Sequence, residues 1–444
     1  MRLRSLFFRG VFGLLGLLIV LAGLAYWSDP WFWGRYATSL KSLDPSAVDW
    51  RQPQVPVPGG DRSLVQAPPE GISPPALRAA IDYAEAMDSF AFLVHHRGAL
   101  VHEQYWQGHG PDSRFDSNSL HKGVLAMVLG LAIADGHIDS PDDPVGQYIP
   151  EWADDARGEI TLRELASMRS GLRVEAFSPS PLSKGMRLVL GSRIDELTLA
   201  LPLANEPGSD FQYLNFNSQA LGIAVSRALD RPYADYLSER LWQPLGAPDA
   251  ALWLDRDGGS PRLFCCLLTT ARAWIQVGRL LLDEGRIDGE QILPDGWTAQ
   301  MMQPSAANPN FGLHLWLGSP PDGIRAYNRE SSLEATHSEP YLAPDIVFLD
   351  GAGGQRLYVV PSEELVILRI GKARLDWDDA VIPNALLQSP VGHALRKDQS
   401  RSGLMPLLRN QRSSSFQATR FTSGSDSIVS AARLCIRASS SCAW

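Results

Sequence analysis

The alternation of apolar and polar positions divides the chain into elements. FAFLVHHRGALVHEQYW, residues 90–106, alternates around Arg97-Gly98 and predicts a β-hairpin. Near the other end, residues 357–360 and 364–370 predict a second hairpin turning through Pro361. Between them, apolar residues recur at helical spacing over 76–87, 119–135, 216–229, 231–241 and 269–284, the last stopped by Gly285. Thr161-Leu-Arg-Glu164 is a capping box and starts a further helix. Strands at both ends with helices between predict an α+β fold. Its antiparallel β-sheet is closed by the first and last segments and flanked by helices, with a mostly helical insertion in the middle.

The two ends differ from this body. The start, MRLRSLFFRGVFGLLGLLIVLAGLAYWSDPWFWGRY, puts arginines first, then residues 11–26 without a charge, then Trp27, Trp31, Trp33 and Tyr36. Residues 6–27 reach the roughly 20 apolar residues that a spanning helix needs, with Arg9 snorkelling. Arginines at one interface and aromatics at the other predict an N-terminal transmembrane helix, so a single-pass protein of the cell inner membrane with a periplasmic body. A cleaved signal peptide is the alternative, with Gly23-Leu24-Ala25 as its cleavage site, and would give a secreted body. The chain thus reads as an anchor or signal segment over 1–36, a Pro/Gly-rich linker over 37–75, a folded domain over 76–392, and a basic Ser/Arg-rich tail over 393–444. The tail has too little apolar surface to offset its ordering entropy and reads as disordered.

Charge sharpens the division. The chain has 444 residues and a net charge of −9. Residues 45–395 hold 27 basic and 45 acidic side chains, so the folded body carries about −18 and both ends are basic. An acidic body argues against nucleic acid as a partner. Oligomeric state is not legible. The four cysteines match neither zinc spacing nor a disulfide framework. Cys265 and Cys266 lie side by side in an apolar run, where buried thiols are the simpler reading and a bond between neighbours the other.

Several familiar site motifs are missing: no Gly-x-Ser-x-Gly elbow, no phosphate-binding Walker loop, no His-Glu-x-x-His. The nine histidines do not cluster at ligand spacing, so no metal and no cofactor are implied. Asp255-Arg-Asp-Gly258 begins like a calcium loop but lacks the later carboxylates. His95 and His96 fall in the first hairpin and read as structural.

Ser-x-x-Lys occurs once, as Ser119-Leu120-His121-Lys122, at the start of an apolar helix. At i and i+3 the hydroxyl and amine share a face. The helix N-terminus offers N–H donors and the positive end of a dipole. A partly buried lysine loses its proton easily and can then accept one from serine. The simpler reading is Ser119 as an N-cap and Lys122 in solvent. Tyr213-Leu214-Asn215 follows a turn and precedes a helix, which places it at a cleft. A tyrosine beside an ammonium can have a lowered phenol pKa and serve as general base. Asn215 can orient Lys122 and a substrate carbonyl. Asp350-Gly-Ala-Gly-Gly-Gln355 enters a strand, and such glycines let a ligand approach the backbone. An N–H near Gly354 and Gln355, with that of Ser119, could form an oxyanion hole.

In this order the three pieces resemble the serine β-lactamase and penicillin-binding-protein superfamily. The chain is most similar to the β-lactamase-related serine hydrolases, the class C-like group that includes 6-aminohexanoate-dimer hydrolases and esterases. ITLRELASMRSGL (160–172), FQYLNFNSQALGIAVSRAL (211–229) and GGQRLYVVPSEELVILRIG (353–371) add to the resemblance, which covers about 75–390. It implies a hydrolase domain in which Ser119 is acylated, Lys122 activates it and Tyr213 is its acid or base partner. The N–H groups of Ser119 and Gln355 would hold the oxyanion, and the substrate is a small-molecule or peptide ester or amide. Ala352 stands where the family carries Lys or His, so a cationic anchor for a β-lactam carboxylate is missing. His121 inside the tetrad, with His314 and Trp316 in FGLHLWLG, is expected to border the cleft. The pocket's shape is expected to depend on 173–205 and 305–345.

Overall fold

The computed structural model describes residues 26–40, 44–175, 178–328 and 334–388, with the isolated positions 16 and 23. Most of the apolar N-terminal stretch and the whole basic tail lie outside the described residues. Among those described, no helix is long and apolar enough to cross a membrane.

Helices α1 (Pro30–Ser39) and α2 (Pro74–Ala86) precede the main sheet. The α2 start is built locally: Ser73 Oγ accepts from Ala76 N, and prolines fill the first helical positions, where no N–H is needed. The predicted hairpins are present. The first is β2 (Ser89–His96) with β3 (Ala99–Tyr105), and the last is β9 (Gln355–Val360) with β10 (Leu365–Gly371). They join directly, with β2 antiparallel to β10 and Leu93 opposite Leu368. With β7 (Trp316–Leu317) and β8 (Val347–Gly351), the antiparallel order is β3-β2-β10-β9-β8-β7. The first and last strands of this sheet in chain order therefore meet in its middle.

Both faces of that sheet are covered, which is why LVILRIG in β10 is buried at every position and apolar except at Arg369. Val366, Leu368 and Ile370 face one core, while Leu365 and Ile367 face the other, as the period of two requires. Helix α6 (Ala271–Leu282) packs on the first face; α2 and α7 (Val381–Leu387) share the second. The remaining helices used below are α3 (His121–Ala134), α4 (Lys184–Leu190) and α5 (Asn215–Ala228). Residues 121–132 of α3 are all buried, so it is a central helix that is apolar all round. The capping box at Thr161 forms with both of its hydrogen bonds.

The stretch read as a linker is not one. Residues 54–57 form strand β1, antiparallel to β5 (Ala250–Trp253) at the edge of a second sheet. This sheet also holds β4 (Arg114–Asp116) and β6 (Leu267–Thr270), in the order β1-β5-β6-β4. Proline and glycine exclude a helix, but an edge strand tolerates Pro56, whose missing N–H is not needed there. Further upstream, α1 is bolted to the body. Arg35, 5% exposed, donates to the carbonyls of Leu190, Gly191, Asp255, Gln52 and Leu254.

Candidate active site

The nucleophile candidate is delivered by two short elements. Strand β4 ends at Asp116, whose Oδ1 accepts from Asn118 N at 2.9 Å. Asn118 has φ +48°, a left-handed conformation that asparagine tolerates better than most residues. A single turn over Asn118–Leu120 follows and feeds α3. Ser119 thus enters the cleft one turn ahead of Lys122. The N-cap reading fails, because the Ser119 hydroxyl is engaged with the lysine.

Lys122 is 2% exposed and has three contacts: Phe264 O at 2.7 Å, Ser119 Oγ at 2.8 Å and Asn215 Oδ1 at 2.9 Å. Two of these partners can only accept. A neutral amine has two N–H bonds and one lone pair. With the N–H bonds on Phe264 O and Asn215 Oδ1, the lone pair faces the serine hydroxyl. Burial lowers the Lys122 pKa to about 7, against a smaller upward pull from the Asp350 carboxylate. Near neutral pH the amine is therefore available as a base without an external deprotonation step.

Tyr213 also hydrogen-bonds Ser119 through its hydroxyl. Its ring stacks on Trp316 (centroids 5.8 Å apart), and the Lys122 nitrogen is 5.1 Å from its centre. Its backbone N–H donates to Tyr327 O at 2.8 Å. The expected lowering of its phenol pKa does not occur. Burial and the negative charge of Asp350 push it well up, outweighing the hydrogen bond with Ser119. The lysine carries less positive charge than the sequence reading assumed, so it does not stabilise a phenolate. The phenol thus stays protonated, while the Lys122 amine is the group whose pKa lies near neutrality.

Three residues expected at the cleft lie outside its lining. His121 is fully buried and points away from the cleft, with Nδ1 2.9 Å from Cys265 O. His314 lies under α3, with Nδ1 2.9 Å from the Lys122 carbonyl and Nε2 3.2 Å from Ser218 Oγ. Both belong to the support of the site, as does Trp316 through its stack with Tyr213. Gln355 is fully buried, and its amide clamps Gly371 through both its N–H and its oxygen. Beside Ser119 the cleft wall holds Ala352, Gly353 and Gly354, the turn just before Gln355. Asn118 Nδ2 donates to Ala352 O at 3.0 Å and fixes that turn against the nucleophile.

The cleft encloses about 250 Å³. Its walls come largely from the two segments expected to shape it: Arg173, Met186, Leu188 and Leu201 from one, Tyr327 and Ala335 from the other. Its floor rests on a buried ion cluster that was not legible in the sequence. Arg325 bonds Asp350 (2.5 Å) and Asp379 (2.6 Å), Arg356 bonds the same two carboxylates, and Tyr327 donates to Asp350 at 2.6 Å. Charge balances within the cluster, so Asp350 reaches the cleft already satisfied. No group of histidines, cysteines or carboxylates suited to a metal ion occurs among the described residues.

An antiparallel sheet joining an early hairpin to a late one, with Ser-x-x-Lys at the start of the central helix and Tyr-x-Asn across a cleft, defines a β-lactamase-fold hydrolase. The profile of the family described as Beta-lactamase matches residues 77–374. This chain belongs to that family. It is 29% identical over 226 residues to 6-aminohexanoate-dimer hydrolase of Paenarthrobacter ureafaciens, covering 48% of this chain and 56% of that protein. The match thus spans about half the length of that relative. A protein of Mycobacterium tuberculosis is 24% identical over 310 residues, covering 58% of this chain and 77% of its own. Among solved structures, a candidate 6-aminohexanoate-dimer hydrolase from Bacillus anthracis superposes with a TM-score of 0.64, at 19% identity over 80% of this chain and 94% of that one. A class C β-lactamase from Rhodobacter sphaeroides gives 0.52, also at 19% identity, over 70% and 97%. These likenesses establish the fold.

Proposed function

We propose that the protein is a serine hydrolase that cleaves an ester or amide bond through an acyl-enzyme on Ser119. The observation that carries this reading is the Lys122 amine, buried, lowered to about 7, and aimed by two acceptors at the serine hydroxyl. As Ser119 Oγ attacks the carbonyl carbon, its proton passes to Lys122 Nζ. The developing oxyanion is taken by backbone N–H groups of Ser119 and of the turn at Ala352. The Tyr213 hydroxyl gives its proton to the leaving oxygen or nitrogen and is reprotonated from the lysine. Water then attacks the acyl-enzyme, and the same pair returns a proton to Ser119.

The apolar wall made by Met186, Leu188 and Leu201 favours an uncharged acyl or leaving group, and a lone small-molecule or peptide substrate fits the volume. The 6-aminohexanoate-dimer hydrolase relative supports a linear amide as one such substrate. A β-lactam is disfavoured, since Ala352 supplies no cation and Arg325 and Arg356 are engaged with carboxylates. The N-terminal stretch supports export, with the body tethered to the inner membrane on its periplasmic side.

The test is a fluorophosphonate probe on the full chain, wild type and Ser119→Ala, with the adduct mapped by peptide mass. Label on Ser119 that disappears in the variant is the expected result. Folded wild-type protein without label would refute the reading and favour a binding protein that keeps the fold.

A further inference from the structure

Behind Ser119 runs the segment 264–267, and its middle pair is bonded: Cys265 and Cys266 form a disulfide between neighbours. The sequence left this open, and the catalytic scheme does not use it. Its position is not incidental. Phe264 O accepts from Lys122 Nζ at 2.7 Å, and Cys265 O meets the ring of His121 at 2.9 Å. Cys266 N donates to Asn118 O at 3.2 Å, and Leu267 N donates to Ser117 Oγ at 3.2 Å. Four successive residues thus grip the four residues that flank and include the Ser119-to-Lys122 turn.

Cys266 has φ +73°, a left-handed backbone for which cysteine has no local preference. The bonded ring holds it there. Both cysteines also line a second cavity of about 100 Å³ that shares Ser119, Asn215 and Ala352 with the active-site cleft. The pair thus borders a cavity beside Ser119, although both cysteines are buried.

We propose that Cys265–Cys266 is a reversible redox site whose oxidised form holds Lys122 in its working position; this rests on the hydrolase reading above. The co-reactant is a small dithiol. Its thiolate attacks one sulfur, the S–S bond breaks and a mixed disulfide forms; its second thiol then releases the cysteine. Two electrons and two protons end on Cys265 and Cys266, and the dithiol leaves as its own disulfide. Freed of the ring, Cys266 leaves the left-handed region and carries the Phe264 carbonyl off the amine. Without that acceptor the lone pair is no longer aimed at Ser119. An oxidising compartment keeps the pair bonded and the site assembled.

The experiment compares the rate of fluorophosphonate labelling of Ser119 on the full chain before and after dithiothreitol, with the reductant removed before labelling. Alkylation mapped by peptide counts Cys265 and Cys266 apart from Cys435 and Cys442. The expected result is a fall of about 10²-fold, the low end of what a positioned base contributes, with recovery on reoxidation. The Cys265→Ser, Cys266→Ser double variant, checked for folding by circular dichroism, labels at the reduced rate with or without dithiol. Equal rates in the two states overturn the switch and leave the hydrolase standing. A pair that dithiothreitol cannot open also overturns it. A chain that labels in neither state overturns both readings.

Discussion

Arg51 and Asp116 form an ion pair in which each side chain is only 4% exposed, with Nε 2.7 Å from Oδ2. The pair joins the segment before the family-matched region to the turn that delivers Ser119, since the other Asp116 oxygen holds Asn118 N. Removing one partner of a buried pair leaves an uncompensated charge. Arg51→Ala is expected to lower stability by about 3–5 kcal/mol. Denaturant unfolding measures this, and unchanged stability would show that the pair holds nothing.

Lys122 predicts the pH profile. The working form is the neutral amine, and its pKa is about 7. Activity should therefore be full above that value and fall about tenfold per pH unit below it. The charged and titratable groups around the amine are Tyr213 and Asp350 across the cleft and His314 and His121 on its support. The histidines are neutral throughout this range, so the limb belongs to the lysine. Lys122→Met should lower the acylation rate by about 10²–10⁴-fold with the fold intact. A residual rate with the same acid limb would assign the limb elsewhere.

Tyr213→Phe keeps the ring stacked on Trp316 and removes only the donor. With the phenol pKa raised, the hydroxyl gives a proton rather than taking one. Steady-state hydrolysis should fall by about 10²-fold, more for amides than for activated esters, whose leaving groups need no proton. Equal losses for both substrates would mean that the tyrosine acts before the leaving group departs.

Acid stability follows from three imidazoles that burial keeps neutral: His95 and His121 with pKa about 4, and His314 about 3. In the unfolded chain each protonates near 6.5. The unfolded state then binds more protons, so stability is whole above pH 6.5 and is lost as pH falls toward 4. For three groups the slope approaches about 4 kcal/mol per pH unit. Thermal melts between pH 7 and 4 measure it, and a flat profile across that range would contradict the burial of these rings.

What the sequence made legible was what repeats or has fixed spacing. The alternation in 90–106 and 357–370 located the strands of the main sheet, and Ser119, Lys122, Tyr213 and Asn215 announced themselves through two short motifs. What escaped depends on distant partners. Phe264 serves Lys122 through a carbonyl, which every residue has, so no residue type marks it. Asp350 and Arg356 face each other across one hairpin, but Arg325 and Asp379 come from distant segments, and nothing in the sequence says that they join that pair. His121 and His314 looked like cleft residues because neighbouring motif residues are; packing against Cys265 and Ser218 turned them inward. The linker reading failed because composition reports what a segment cannot form locally, while β1 was chosen by the open edge of β5.

That edge has a practical consequence. A protein trimmed to the family-matched residues 77–374 would lose β1 and leave one edge of β5 unpaired, the other still held by β6. The uncovered strand, Ala-Ala-Leu-Trp, is apolar and buried at every position in the whole chain. A bare apolar edge is a template for pairing with another copy. Residues 54–57 therefore cap that edge, and the folded unit begins before the point where its family resemblance does.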